Sequence, residues 1–504
     1  MLGVDSKRAS IFNDIRLAIS SKFVLLILCL SGIFRIVLHI FVLPESPSEF
    51  GPDEGTYAAL AKYASQGLPM QDFPLYGAGL YNSAKSITLP SAFLVKLGMN
   101  ELNAVRAVAS GYGLASSIVL VLCFLASIRL RNQTFNLSGP ALDRKFVTLL
   151  LIFTFFPSNF VWSTLGLRES GSQFWLITTF YLILKLLDSA GRDRWKFTAL
   201  CSLALTLAHG TRPETALVFS LVALLVSIVL LLKYQKFLFV IGIFFGVLGG
   251  QAFTATPEVR AEKSLDAYRI IEPKLIQSAT PKPVESNQSA TPKPVEILEA
   301  SPEEPASENC TQENELIRFE DDAFRCKSSI SYQVTELSPV KTLEKKILTT
   351  QILEYKRTVN ASDAQSALPT TKCQGLSRDI FLIIECNISE LPYRLFAFLF
   401  RPLVFFDQGS TTLKFAALEN LTWLLLIPLS VWMSLRKVQK SSDRALNLSL
   451  ISYVILFASA AALYEGNLGT AFRHKSTILW PLIFILMIAP RISSKTRLHT
   501  SAVS

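Results

Sequence analysis

Ten stretches of the chain are apolar over many consecutive positions, at about 22–43, 104–128, 146–164, 173–188, 196–210, 215–232, 237–255, 413–434, 445–463 and 476–490. A helix of about 20 apolar residues crosses the hydrocarbon of a bilayer, so this repetition predicts an all-α polytopic membrane protein with about ten transmembrane helices. The fifth stretch is barely long enough, and Pro157 and Trp162 crowd the third. The first carries Arg35 and His39, which must face protein or water because ions are costly in lipid. Between the stretches lie two long polar segments. One, 44–103, is a first outer loop of mixed helix and turn, and loops of that size are usually functional.

The other long segment changes character along its length. Ser278-Ala-Thr-Pro-Lys-Pro-Val-Glu285 recurs unchanged from Ser289 to Glu296. A duplicated Pro-rich octapeptide reads as an extended spacer, so residues 256–312 are expected to be disordered. From 313 to 390 the composition becomes more globular, and Val340 to Leu353 has helical apolar spacing, which suggests a small cap. Residues 391–408 are apolar and aromatic with Arg394 and Arg401; they read as an interfacial helix on the outer leaflet, its arginines meeting lipid phosphates. The expected organisation is a membrane module over 1–255, the spacer, the cap, and a C-terminal membrane module over 391–504.

Composition supports the same class. The 504 residues are 50% hydrophobic and only 17% charged, with a mean hydropathy of +0.38. A soluble chain of this length carries more charge. The net charge of +10 points away from nucleic acid, because basic residues in a membrane protein mostly set orientation. Lys7, Arg8, Arg16 and Lys22, the loops 129–145, 192–196, 233–236 and 436–444, and the tail with Arg491, Lys495 and Arg497 are basic, as cytoplasmic segments should be. Both termini are then expected inside, and 256–412 outside. Cys310, Cys326, Cys373 and Cys386 all fall in that outer segment, where two disulfides can form in any of three pairings.

The outer face collects the unusual charges. Asp53 and Glu54 follow Gly51-Pro52 and open a helical stretch, Tyr57 to Tyr63. Two carboxylates there can take a proton from an acceptor or hold a cation; Asp53 can equally be a plain helix cap. Arg106 begins the second span, Arg168-Glu169 ends the third, Arg212 and Glu214 sit in His209-Gly-Thr-Arg-Pro-Glu214, Arg401 ends the interfacial helix, and Arg473-His474-Lys475 follows Gly466-Asn-Leu-Gly-Thr470. The planar fork of arginine suits phosphate oxygens. Each arginine alone is more simply a snorkelling anchor; several on one face suggest a polyprenyl phosphate or diphosphate headgroup. Too few other ligands accompany the acid pair to indicate a divalent metal, and no cofactor is implied.

Pro52-Asp53-Glu54 with Tyr57 after the first span, and Asn103-Ala-Val-Arg106-Ala-Val-Ala-Ser110 leading into the second, give the chain a pattern that resembles the GT-C membrane glycosyltransferases, the protein O-mannosyltransferase and aminoarabinose transferase group among them. The resemblance runs over roughly residues 20–250. It implies transfer of a sugar from a lipid-phosphate donor to a glycan, lipid or protein acceptor. Asp53, with Glu54 beside it, would serve catalysis, and Arg168, Arg212 and Arg473 would bind the donor phosphate. The Leu167-Arg168-Glu169 turn is also similar to bacterial polysaccharide polymerases. A flippase for lipid-linked saccharides would place the same basic groups at an entry or release site, and a non-catalytic scaffold would leave the acid pair unexplained.

Overall fold

The computed structural model describes residues 11–43, 53–68, 81–130, 144–189, 191–234, 237–254, 316–318, 324–326, 380–403, 411–435, 441–464 and 468–489. The chain divides into two units, Met1–Ala255 with Leu343–Ser504, and Thr256–Thr342. Of the second unit the described residues are two short antiparallel strands, β1 (Leu316–Arg318) and β2 (Phe324–Cys326), with Leu316 opposite Cys326. The spacer repeat and the helical spacing at 340–353 lie outside the described residues, as do the side chains of Cys310, Cys326, Cys373 and Cys386.

The first unit is helical throughout its described length. Its elements are α1 (Ile11–Ser20), α2 (Lys22–Phe41), α3 (Asp53–Ser65), α4 (Lys85–Lys96), α5 (Glu101–Leu130), α6 (Arg144–Phe155), α7 (Pro157–Trp162), α8 (Glu169–Asp188), α9 (Asp193–His209), α10 (Pro213–Tyr234), α11 (Phe237–Thr254), α12 (Ile380–Phe400), α13 (Thr411–Leu435), α14 (Ser441–Tyr464), α15 (Leu468–Lys475) and α16 (Leu479–Ile488). A 3-10 turn, Ser476–Ile478, joins the last two.

Among the described residues five helical stretches are long and apolar enough to cross a membrane: Lys22–Phe41, Glu101–Leu130, Ala416–Leu435, Leu446–Leu463 and Ala471–Ile488. Two more, Pro213–Leu225 and Val240–Thr254, are apolar but shorter. Helices lie at each of the ten expected positions, but among the described residues only five stretches are long and apolar enough to cross a membrane, so the structure shows five candidate spans and not ten. The shortfall has physical causes. Pro157 has no amide hydrogen to donate and its ring excludes the residue before it from helical geometry; Phe156 is accordingly extended, at φ −58° and ψ 123°, and the third stretch splits into α6 and α7. Helix α8 carries Glu169, Lys185 and Asp188, and α9 has 17 residues.

Packing is tightest where side chains are smallest. Helices α9 and α11 lie close enough that Ser202 Oγ donates to the Gly242 carbonyl at 2.9 Å and Thr206 Oγ1 to that of Gly246 at 3.3 Å. A Cβ on Gly250 would come within 2.5 Å of the His209 ring. Small residues and hydroxyls of this kind let helix backbones approach in apolar surroundings. Helix α12 begins at Ile380, eleven positions before the expected interfacial segment, and packs along α14. Arg394 does not face outward to phosphates: its Nη1 donates to the Leu463 carbonyl at 3.0 Å, closing the end of α14.

A smaller core holds α3 and α4 in place. Tyr57, Leu60 and Ala61 of α3, Ile87 of α4, Leu102 and Val105 of α5, Trp162 at the end of α7, and Leu165 and Leu167 beyond it form one buried cluster. Ser86 adds a backbone bond to Gly210 at 3.0 Å and a side-chain bond to Leu207 at 2.6 Å, and Tyr112 Oη donates to the Ser86 carbonyl at 2.6 Å. The loop helices are thus fixed to the α9–α10 turn.

Candidate functional site

The acid pair opens α3, and its two members point apart because neighbours on a helix are set about 100° from each other. Glu54 turns inward and is fully buried. Its Oε1 and Oε2 accept from Arg106 Nε at 2.6 Å and Nη2 at 2.9 Å, and Oε1 also accepts from the Gly166 amide at 2.8 Å. A Cβ on Gly166 would lie 2.7 Å from Val105, so only glycine allows that amide so close. Glu54 and Arg106 therefore form a bidentate strut joining α3, α5 and the turn before α8. That placement corrects the expectation that Glu54 shares chemistry with Asp53 and that Arg106 binds substrate: their polar atoms are engaged with each other.

Asp53 turns the other way. Its side chain stays half exposed, and Oδ2 accepts from Arg473 Nη1 at 3.0 Å. Arg473 Nε lies 3.3 Å from Glu169 Oε1, and the same oxygen lies 3.7 Å from Arg212 Nη1. Arg212 Nη2 in turn meets His474 Nε2. One continuous network thus joins the start of α3, the start of α8, the turn before α10 and the end of α15. Arg168 reaches the same region, donating from Nη1 to Ser83 Oγ at 3.1 Å.

The electrostatics match this convergence. Burial works to raise the Glu169 carboxyl, but the charges of Arg473 and Arg212, then His474 and Arg168, overcome it and hold the group down at about 2. The Arg168 guanidinium is pushed above its ordinary value: burial opposes its charge, and Tyr57, Glu214, Glu169 and Asp53 outweigh that cost. Glu169 Oε2 and Arg212 Nε are both buried without a hydrogen-bond partner among the described residues. Buried polar atoms left open in this way call for a ligand or water.

Not every expected residue joins the network. Lys475 lies two positions beyond Arg473, on the opposite side of the helix. It is fully buried, donating to the Arg401 carbonyl at 3.0 Å, the Leu399 carbonyl at 3.4 Å and Asn420 Oδ1 at 2.8 Å. It clamps the end of α12 to α13, which corrects its assignment to substrate. Arg401 contributes its carbonyl to that clamp. Glu214 enters through its field on Arg168 and His209. Arg35 faces protein, donating to Ser163 Oγ at 2.7 Å and lying 4.4 Å from the Phe160 ring centre.

Three residues at the site carried no functional expectation of their own. Tyr57 is one helical turn beyond Asp53 on α3, buried among Arg168, Glu169 and Arg212; burial foremost raises its hydroxyl. The Asp53–Tyr57 spacing was the available signal. Ser83 orients Arg168. His209 is fully buried with both ring nitrogens unpartnered among the described residues. No group of three or more His, Cys, Asp or Glu among the described residues is placed to hold a metal ion.

The fold and site together define a helical protein whose apolar helices suit an integral membrane protein and whose buried charge network gathers at one end of the helices. No family model matches the chain, and neither a curated protein nor a solved structure does.

Proposed function

We propose that this chain is an integral membrane glycosyltransferase that moves a sugar from a polyprenyl-phosphate donor to an acceptor hydroxyl on the extracytoplasmic face. Ten membrane crossings, both termini cytoplasmic, and an extracytoplasmic 256–412 segment complete the reading. Asp53 takes the proton of the acceptor hydroxyl, whose oxygen forms a bond to the anomeric carbon as the bond from that carbon to the phosphate oxygen breaks, with inversion. Arg168, Arg212 and Arg473 stabilise the departing lipid phosphate. His474 holds Arg212 in place.

The observation that carries this reading is the contact of a half-exposed carboxylate with a chain of largely buried charges, Asp53 to Arg473 to Glu169 to Arg212. A general base needs access, and a phosphate site needs fixed donors; the network offers both within a few side chains. The purified protein in proteoliposomes, given polyprenyl-phosphate sugar and a hydroxyl acceptor, should consume donor and release polyprenyl phosphate. Donor that crosses the bilayer unconsumed would overturn the reading in favour of a flippase.

A further inference from the structure

Helix α1 is short, amphipathic and two-sided in an unusual way. Its inner side is locked to the bundle: Asp14 is buried, its Oδ2 accepting from Tyr181 Oη at 2.7 Å and Lys185 Nζ at 3.2 Å, with Arg129 on Oδ1. Ala18, one turn on, is buried beside it. The outer side carries Phe12, Arg16 and Ile19, all exposed, at positions that fall within about 60° of one another on a helix of 3.6 residues per turn. Phe12 is 81% exposed, which is costly in water for a side chain of that size. Asn13 and Ser20 flank the stripe on one edge.

We infer that this stripe lies in the headgroup layer of the membrane, at the leaflet where α5 ends, and that it favours anionic lipid. Two observations fix the occupant. The first is continuity. Ser21 alone separates α1 from α2, a membrane-length helix of which only 22% of the apolar window is buried, and the exposed band of α2 resumes at once with Phe23 and Leu26. A surface helix leading directly into a lipid-facing span sits at the interface by geometry. The second is charge. Arg16 and Lys22 are exposed on this segment, Arg144 is exposed at the neighbouring start of α6, and Arg129 is partly exposed at the end of α5. A helix with a basic polar edge and a Phe/Ile face is the form that binds a negatively charged lipid surface. This inference depends on membrane insertion and not on the transferase reading.

The test uses the full chain in nanodiscs, with an environment-sensitive fluorescent amino acid in place of Phe12, Ile19 or Asn13 in turn. In discs containing lipids brominated near the headgroup, emission from positions 12 and 19 should be quenched several-fold more than from position 13. Replacing part of the phosphatidylcholine with phosphatidylglycerol should increase that difference, and Arg16→Glu with Lys22→Glu should abolish the increase. Equal access of an aqueous quencher to all three positions would overturn the inference. So would protection of positions 12 and 19 that follows protein concentration, since a second copy would then cover the stripe.

Discussion

The two ends of α8 hold buried acids that are treated in opposite ways. At one end the Asp14 carboxylate is saturated: Arg129, Tyr181 and Lys185 occupy both its oxygens, and nothing about it is open. At the other, about 24 Å away along the 16 residues from Glu169 to Lys185, Glu169 shares one oxygen between Arg473 and Arg212 and leaves the other without a donor among the described residues. A buried polar network that is fully satisfied rigidifies a fold. One that is held in place yet incomplete is arranged for something to complete it. The Asp14 end is a bolt, and the Asp53–Glu169 end is the candidate site.

The sharpest way to break that distinction is to change one acid at each end. Asp53→Asn keeps the size of a half-exposed side chain, so the protein should accumulate and melt as the wild type does. On the proposed function, sugar transfer by the reconstituted protein should fall about 100- to 10,000-fold, the range for loss of a general base. Undiminished transfer would remove Asp53 from the chemistry. Asp14→Ala should do the reverse. It strands Lys185, which is fully buried, and removing one partner of a buried ion pair costs about 3–5 kcal/mol. Thermal unfolding in detergent should move to markedly lower temperature, while transfer per folded molecule stays unchanged. A loss of transfer without a loss of stability would erase the contrast.

Much of the helical architecture could be read from the chain because an apolar run is a local signal. The starts of α2, α5, α13 and α14 fall within a few residues of the predicted spans. Arg168, Glu169, Arg212 and Arg473 were legible as one group because all follow the ends of apolar stretches. What sequence could not show is direction around a helix whose burial is unknown. Asp53 and Glu54 are adjacent, and only the packed position of Val105 and Gly166 decides which acid turns inward. Arg473 and Lys475 look like one basic run, but two positions rotate a helix by about 200°, so they serve different neighbours. The Asp14 bolt gave no signal at all, since its partners lie 115 to 171 positions away.

Acid offers a subtler probe of the open end. The Glu169 carboxyl titrates at about 2 in the folded protein, against an ordinary value of 4.5. A group whose folded value is depressed stabilises the fold above its unfolded value and stops doing so as pH falls through the folded one. Glu169 therefore contributes its full share at neutral pH, and that share fades between about pH 4.5 and pH 2. At 1.36 kcal/mol per unit the contribution is roughly 3 kcal/mol. Unfolding temperatures of wild type and Glu169→Gln should differ most near pH 7 and converge as pH drops below 4. A gap that holds constant with pH would mean the guanidinium groups do not depend on this charge.

The smallest expected effect belongs to a solvent-exposed ion pair. Lys62 and Glu101 also form an ion pair at this end of the molecule, 3.0 Å apart, tying α3 to the start of α5 much as Glu54 and Arg106 do. The two pairs differ in water. The Lys62 and Glu101 side chains are 53% and 33% exposed, whereas those of Arg106 and Glu54 are 2% and 0%. Exposed pairs pay side-chain entropy and gain little in high dielectric, so they contribute less than about 1 kcal/mol. Lys62→Ala should leave unfolding temperature and transfer nearly unchanged, and added salt should not widen the difference. Glu54→Gln, by contrast, leaves the Arg106 guanidinium buried opposite a neutral amide, and should lower the melting point and loosen α3. If the two substitutions proved equally mild, burial would not be what separates the strut from a surface contact, and the same reasoning applied to Asp14 and Glu169 would fail with it.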